Sequence, residues 1–248
     1  MHKIVQAAAQ TAPFVQLQKE LKLKGNTVYL NELVGGALTF YLAASVEKTA
    51  GLHILVAEDR DAAAYAMNDL YALLDEKRVL FFPSAYKRSV LYGREDAESI
   101  VMRTNTMNAI KSLTAGDYLV VCTYPDAIAE KIVASQTLEE QKIRISRGDR
   151  VDIADLVEEL EGQGFVRVDF VYEPGQYSVR GGIVDIFSYS ESRPYRLDFF
   201  GDEVESLRRF EIANQLSSDQ LESVDIIGNI NRAEGRDVSF ASFVGEGA

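Results

Sequence analysis

Near residue 140 the hydrophobic pattern changes period, and that change restricts the chain to two architectures in series. Before it, short apolar runs alternate with stretches of helical spacing. The runs are "TVYL" (27–30), "HILVA" (53–57), "RVLFF" (78–82) and "DYLVVC" (117–122), each short and rich in β-branched or aromatic residues, as buried strands are. Helical spacing covers Ala37–Lys48, Asp61–Asp75 and Glu98–Leu113. In the second of these, Ala62, Tyr65, Ala66, Leu70, Leu73 and Leu74 predict one apolar face. Strand–helix alternation argues for a parallel sheet covered by helices.

After residue 140 turn signals take over. One helix fits Ile153–Glu161, with Asp152 as N-cap, Ile153, Leu156, Val157 and Leu160 on one face, and Gly162 and Gly164 as stops. "FVRVDFVY" then alternates, "EPG" places Pro174 and Gly175 at the centre of a type II turn, and "YSVRGGIVDIF" extends away. "YRLDFF" and "EVESLRRF" are separated by Gly201-Asp202, a tight hairpin signal. The expectation is a compact antiparallel α+β unit. Residues 227–248 are polar and dotted with glycine, and "VSFASFV" near the end reads as an apolar segment without a partner strand, as in a piece of a longer protein.

Composition narrows the functional classes. The 248 residues are 47% hydrophobic and 26% charged, within the range of globular proteins. The single cysteine, Cys122, lies in an apolar run and excludes an intramolecular disulfide or a multi-cysteine zinc site. His2 and His53 are far apart, no nucleophile has a histidine beside it, and neither a catalytic constellation, a metal site nor a cofactor site is predicted. No apolar run approaches the ~20 residues of a membrane span, and the N-terminus lacks a signal-peptide core, so the expected location is cytoplasmic. The net charge of −12 disfavours phosphate binding by the surface as a whole.

Two stretches bear on function. The turn after "TVYL" is where a doubly wound fold holds phosphate. A working P-loop places a lysine and then a hydroxyl after its last glycine. Here Asn31 stands at the first glycine position, Gly35 and Gly36 remain, and Ala37 and Leu38 replace the lysine and the hydroxyl. A methyl group leaves phosphate charge uncompensated, and leucine cannot ligate magnesium. The second stretch is "YRLDFF". Alternation puts Tyr195, Leu197 and Phe199 on one face and Arg196, Asp198 and Phe200 on the other. An exposed phenylalanine beside an arginine has the composition of a binding hot spot. Alternatively, Arg196 pairs with Asp198 or Glu205 and Phe200 caps the core. Arg180 faces the same choice, with Gly181-Gly182 marking a bulge that re-aims it.

The run "EPGQYSVRGGIVDIF…RPYRLDFFGDEVESLRRFE" resembles the signature shared by the nucleotide-excision repair protein UvrB and the N-terminal region of transcription-repair coupling factors. The likeness is tight over residues 140–215 and looser back to about residue 25. The resemblance implies a degenerate helicase-like (P-loop type) α/β domain over 1–139, an inserted antiparallel α+β domain over 140–226 that docks onto UvrA, and a return segment from 227 to 248. An intact P-loop would mark a UvrB-type DNA-dependent ATPase lobe; Asn31, Ala37 and Leu38 favour the coupling-factor branch, whose module lacks ATPase activity. In that family RNA polymerase and double-stranded DNA are bound by other domains, too large for this chain. The UvrA contacts of the family map onto Arg180, Arg196 and Phe200. Residues 140–226 carry 10 basic against 19 acidic side chains, so a basic spot on an acidic body suits an acidic protein partner and ill suits duplex DNA.

Overall fold

The computed structural model describes residues 3–23, 25–46, 48–86, 95–231 and 238–246. Contacts group these into two compact units, one built from residues up to 83 and 106–128, the other from 84–105 and 129–246.

In the first unit, helices α1 (Lys3–Ala8), α2 (Ala12–Leu21) and α3 (Ala37–Val46) precede strand β1 (Gly51–Val56), helix α4 (Arg60–Tyr71) and strand β2 (Val79–Phe81). Helix α5 (Ala97–Lys111) is divided between the units at residue 105. Strand β3 (Tyr118–Thr123) and helix α6 (Pro125–Ala129) follow. The sheet is parallel, in the order β1-β3-β2. Its centre, β3, is buried from Leu119 to Thr123, which is why "YLVVCT" is continuously apolar rather than alternating. Helix α4 starts where the Asp59 carboxylate accepts a hydrogen bond from the Ala62 amide at 2.8 Å.

The parallel sheet and its three later strands match expectation, and "TVYL" does not. Residues 27–30 form no strand, and Tyr29 is 83% exposed. Strand propensity expresses itself only against a neighbouring strand, and among the described residues none pairs with this stretch. The face of α4 is also turned. Ala63 and Leu70 are buried, whereas Tyr65 is exposed and Leu73 and Leu74 lie beyond the helix end. A run of alanines fits either face equally well, so packing made the choice.

The second unit continues with α7 (Ser135–Glu140), β4 (Lys142–Ser146), α8 (Ile153–Gly162), β5 (Val166–Arg167), β6 (Gln176–Arg180) and β7 (Ile183–Ile186). It is completed by β8 (Tyr195–Phe200), β9 (Glu203–Phe210), β10 (Ser217–Leu221), β11 (Ser223–Ile227) and α9 (Phe240–Glu246). Six strands lie in the order β10-β9-β8-β7-β6-β5, antiparallel throughout except for the β5–β6 pair, and β11 pairs with β4 separately. Helix α8 forms as expected. Asp152 accepts from the Ala154 and Asp155 amides, Leu156 and Leu160 are buried, and Gly164, at φ +85°, takes the left-handed conformation past the end. The helix is tied to the sheet by the Tyr177 hydroxyl, which donates to Glu161 at 2.6 Å.

The turns decide the register of this sheet. Glu173 accepts from the Gln176 amide at 3.2 Å with Gly175 at φ +84°, which is the expected type II turn. Gly201 and Asp202 join β8 to β9, and Phe200 pairs with Glu203. Gly181-Gly182 is not a bulge: it is the two-residue turn of the β6–β7 hairpin, with Arg180 paired to Ile183. Gly181 has φ +60°, and a Cβ on Gly182 would lie 2.8 Å from the Phe199 carbonyl oxygen. The irregularity in register falls instead between Asp198 and Phe199. Of "FVRVDFVY" only Val166–Arg167 joins the ladder. "VSFASFV" is mostly helical: Val238 bridges to Ile132, and Phe240 and Phe243 of α9 are buried.

Candidate docking face of the antiparallel sheet

The six-stranded sheet has one apolar face and one mixed face, and alternation along the strands sorts the residues. Tyr177, Val184, Ile186, Tyr195, Leu197, Phe199 and Leu207 are buried on the first. Ser178 and Arg180 of β6, Asp185 of β7, Arg196, Asp198 and Phe200 of β8, and Ser206 and Arg208 of β9 share the second. Part of this second face is roofed by a small apolar cluster of Val168, Val171, Phe187, Phe210 and Ile212. Beyond the roof it is open, and Phe200 is 80% exposed.

Opposite charges meet across the strands at the boundary. Asp185 pairs with Ser178 on one side and Arg196 on the other, and its side chain is fully buried. Its carboxylate accepts from Arg196 Nε at 2.7 Å and Arg196 Nη2 at 2.9 Å, and from Arg180 Nη2 at 2.5 Å. Arg180 Nη1 also donates to the Asp169 carbonyl at 2.9 Å and to Ser178 Oγ at 2.8 Å. Arg196 Nη1 donates to the Gln215 carbonyl at 3.1 Å, and its guanidinium lies 4.4 Å from the Phe210 ring centroid. The Asp185 hydrogen bond raises the Arg196 pKa above the usual guanidinium value. Asp198 is taken by Arg208 and Ser206.

This geometry answers the alternatives left open for Arg196. It pairs with neither Asp198 nor Glu205 but with Asp185, eleven residues away, and its side chain is only 14% exposed, against 35% for Arg180. Phe200 stands in solvent rather than capping the core. Strand alternation therefore sorted Phe200 and Leu197 to the correct faces. It could not reveal that one buried carboxylate ties both arginines together. The available signal was Asp185 itself, a charge inside the apolar run "IVDIF", since a charge in such a run requires a partner. Gln215 also escaped notice. It sits at φ +60°, a conformation unusual for a residue other than glycine, and this turn directs its carbonyl to Arg196.

The loop before α3 is open. Asn31 and Gly35 are exposed, Gly35 has φ +57°, a Cβ on Gly36 would lie 3.2 Å from the Phe40 ring, Ala37 begins the helix and Leu38 is 44% exposed. Residues 27–30, which precede this loop, form no strand. Among the described residues no group of three or more His, Cys, Asp or Glu side chains is placed to hold a metal ion, and no helix is long and apolar enough to cross a membrane.

Comparison with known proteins bears directly on the antiparallel unit. Residues 143–230 match the UvrB interaction domain. That match contains Arg180, Asp185, Arg196 and Phe200. The chain is also 27% identical over 194 residues to the transcription-repair-coupling factor of Bacillus subtilis, covering 78% of this chain and 16% of that protein. With the Myxococcus xanthus transcription-repair-coupling factor it shares 28% identity over 219 residues, 87% of this chain and 18% of the relative. The UvrABC system protein B of Thermotoga petrophila is 25% identical over 206 residues, 78% of this chain and 31% of that protein. The chain is thus similar to the transcription-repair-coupling factors, and it spans about a sixth of the length of those curated relatives. The UvrB interaction domain lies wholly within the second compact unit.

Proposed function

We propose that this chain is the UvrA-recruiting module of a transcription-repair coupling factor, an adaptor in nucleotide-excision repair without ATPase activity of its own. The observation that carries the reading is Phe200, 80% exposed beside the Arg180–Asp185–Arg196 network, inside a UvrB interaction domain. An exposed aromatic next to preorganised guanidinium groups is the pattern of an interface anchor, because burying the ring gains apolar area while the cations meet carboxylates in fixed geometry. UvrA would meet it with an acidic surface. In this reading residues 1–139 are a helicase-like domain without a working nucleotide loop, 140–226 the docking domain and 227–248 a return segment, all acting in the cytoplasm. Contacts with RNA polymerase and double-stranded DNA would belong to other domains of such a factor.

The test is a set of UvrA binding curves for the wild-type chain and for Arg180→Ala, Arg196→Ala and Phe200→Ala. Phe200→Ala should weaken binding by about 2 kcal/mol or more. The arginine substitutions should cost roughly 2–5 kcal/mol, as expected when one partner of a desolvated charge pair is removed. Wild-type affinity in Phe200→Ala would overturn the assignment.

The relationship to UvrABC system protein B supports one rival, a DNA-dependent ATPase lobe. That reading requires nucleotide binding. With Ala37 and Leu38 where a cation and a hydroxyl are needed, calorimetry with Mg-ATP should show no binding, and a micromolar dissociation constant would favour the rival.

A further inference from the structure

Among the described residues of the antiparallel unit the large exposed apolar side chains are Val166, Phe170, Tyr172, Phe200 and Leu216. One of them, Phe170, packs on the Arg180 guanidinium, on the side of the sheet away from Phe200. The segment after β5 alternates: Val171 is fully buried in the roofing cluster, whereas Phe170 is 49% and Tyr172 56% exposed. The Arg180 guanidinium carbon lies 5.2 Å from the Phe170 ring centroid, within cation–π range. The same guanidinium is fixed by the Asp169 carbonyl, Ser178 Oγ and Asp185, so ring and cation are held as one unit. The segment is tied across the roof as well, because the Gln215 side-chain amide donates to the Val171 carbonyl at 3.4 Å while the Gln215 carbonyl holds Arg196.

Phe200 lies on the other side of this network. Arg180 pairs with Ile183, and Ile183 with Asp198, two residues before Phe200. At ~4.8 Å per strand step and ~3.4 Å per residue, the Arg180 and Phe200 backbones stand roughly 12 Å apart. With Asp198 between them already held by Arg208 and Ser206, a ring at each side of the guanidinium network makes a strip of apolar, charged and apolar groups in turn.

We propose that Phe170 is a second aromatic anchor of the docking face, stacked on Arg180, and that the partner presents a carboxylate between two apolar recesses. This rests on the UvrA-recruiting reading above and names a contact beyond Arg180, Arg196 and Phe200. A protein partner fits because the domain carries 19 acidic against 10 basic side chains between residues 140 and 226. That balance repels a phosphate backbone and leaves the guanidinium strip as a local attraction for carboxylates.

The experiment is calorimetric titration of purified UvrA with the folded chain. Phe170→Ala should weaken binding roughly tenfold or more, Phe170→Tyr should restore near-wild-type affinity by keeping the ring, and Phe170→Leu should fall between. Phe170→Ala combined with Arg180→Ala should bind no worse than Arg180→Ala alone, because the ring acts with that cation. Tyr65→Ala, an exposed aromatic on α4, is the control and should bind as wild type. If Phe200→Ala weakens binding while Phe170→Ala does not, the second anchor is wrong and the docking reading stands. If the wild-type chain does not bind UvrA, the docking reading falls and this inference with it. If Phe170→Ala abolishes binding to a single-stranded oligonucleotide instead, the ring is a base-stacking platform and the inference is overturned.

Discussion

Replacing Asp185 with alanine should do more damage to the fold than replacing either arginine it holds. The carboxylate is fully buried and accepts three charge-assisted hydrogen bonds, at 2.5, 2.7 and 2.9 Å. Removing one partner of a buried ion pair costs about 3–5 kcal/mol, chiefly because the remaining charge is left desolvated and unpaired. The two arginines do not contribute equally. Arg180, 35% exposed, can turn toward water, and screening there reduces its share to a fraction of a kcal/mol. Arg196, 14% exposed, would keep only the Gln215 carbonyl and the Phe210 ring. The expected loss for Asp185→Ala is therefore about 3 kcal/mol, the lower end of that range. Arg196→Ala should cost somewhat less, since Asp185 retains Arg180, and Arg180→Ala least. Because Arg196→Ala lowers stability as well as docking, its binding curve belongs at a temperature where the domain is fully folded. Urea melts at neutral pH, fitted with a common slope, measure all three. A loss below about 1 kcal/mol for Asp185→Ala, or a larger loss for Arg180→Ala, would refute the view that a buried carboxylate clamps both cations.

Neighbours on β8 should behave oppositely. Leu197→Ala, fully buried, should lower stability by about 2–5 kcal/mol through a core cavity. Phe200→Ala, mostly in solvent already, should cost under about 1 kcal/mol in the same melt, and equal losses would mean the faces are misassigned. Cys122 is fully buried, and burial pushes its thiol pKa up to about 12, so it should resist a thiol reagent at pH 8 until denaturant is added. An unfolded thiol loses its proton near pH ~8.5. Its contribution to stability is thus complete below that pH and declines as pH rises toward 12, which alkaline melts of a Cys122→Ala variant would isolate. Duplex DNA should bind negligibly at physiological salt, given a net charge of −12, and a salt-sensitive submicromolar gel shift would contradict this.

Much of the second unit is legible because its signals are short-range. The Pro174-Gly175 turn, the Gly201-Asp202 hairpin and the Asp152 cap each depend on residues within a few positions of one another. Once the hairpin is placed, alternation alone assigns Leu197 to the core and Phe200 to solvent. What required the tertiary structure depends on distant partners. "TVYL" has strand composition but no neighbour to pair with, and the alanine-rich start of α4 fits two faces until packing selects Ala63. Asp185 meets Arg180 and Arg196 only because Gly181-Gly182 turns the chain tightly enough to bring β6, β7 and β8 into one register. A one-residue shift in that turn would send the carboxylate to the apolar face. Residue identity determined that a buried aspartate must find a cation; the register of three strands decided which cations it found.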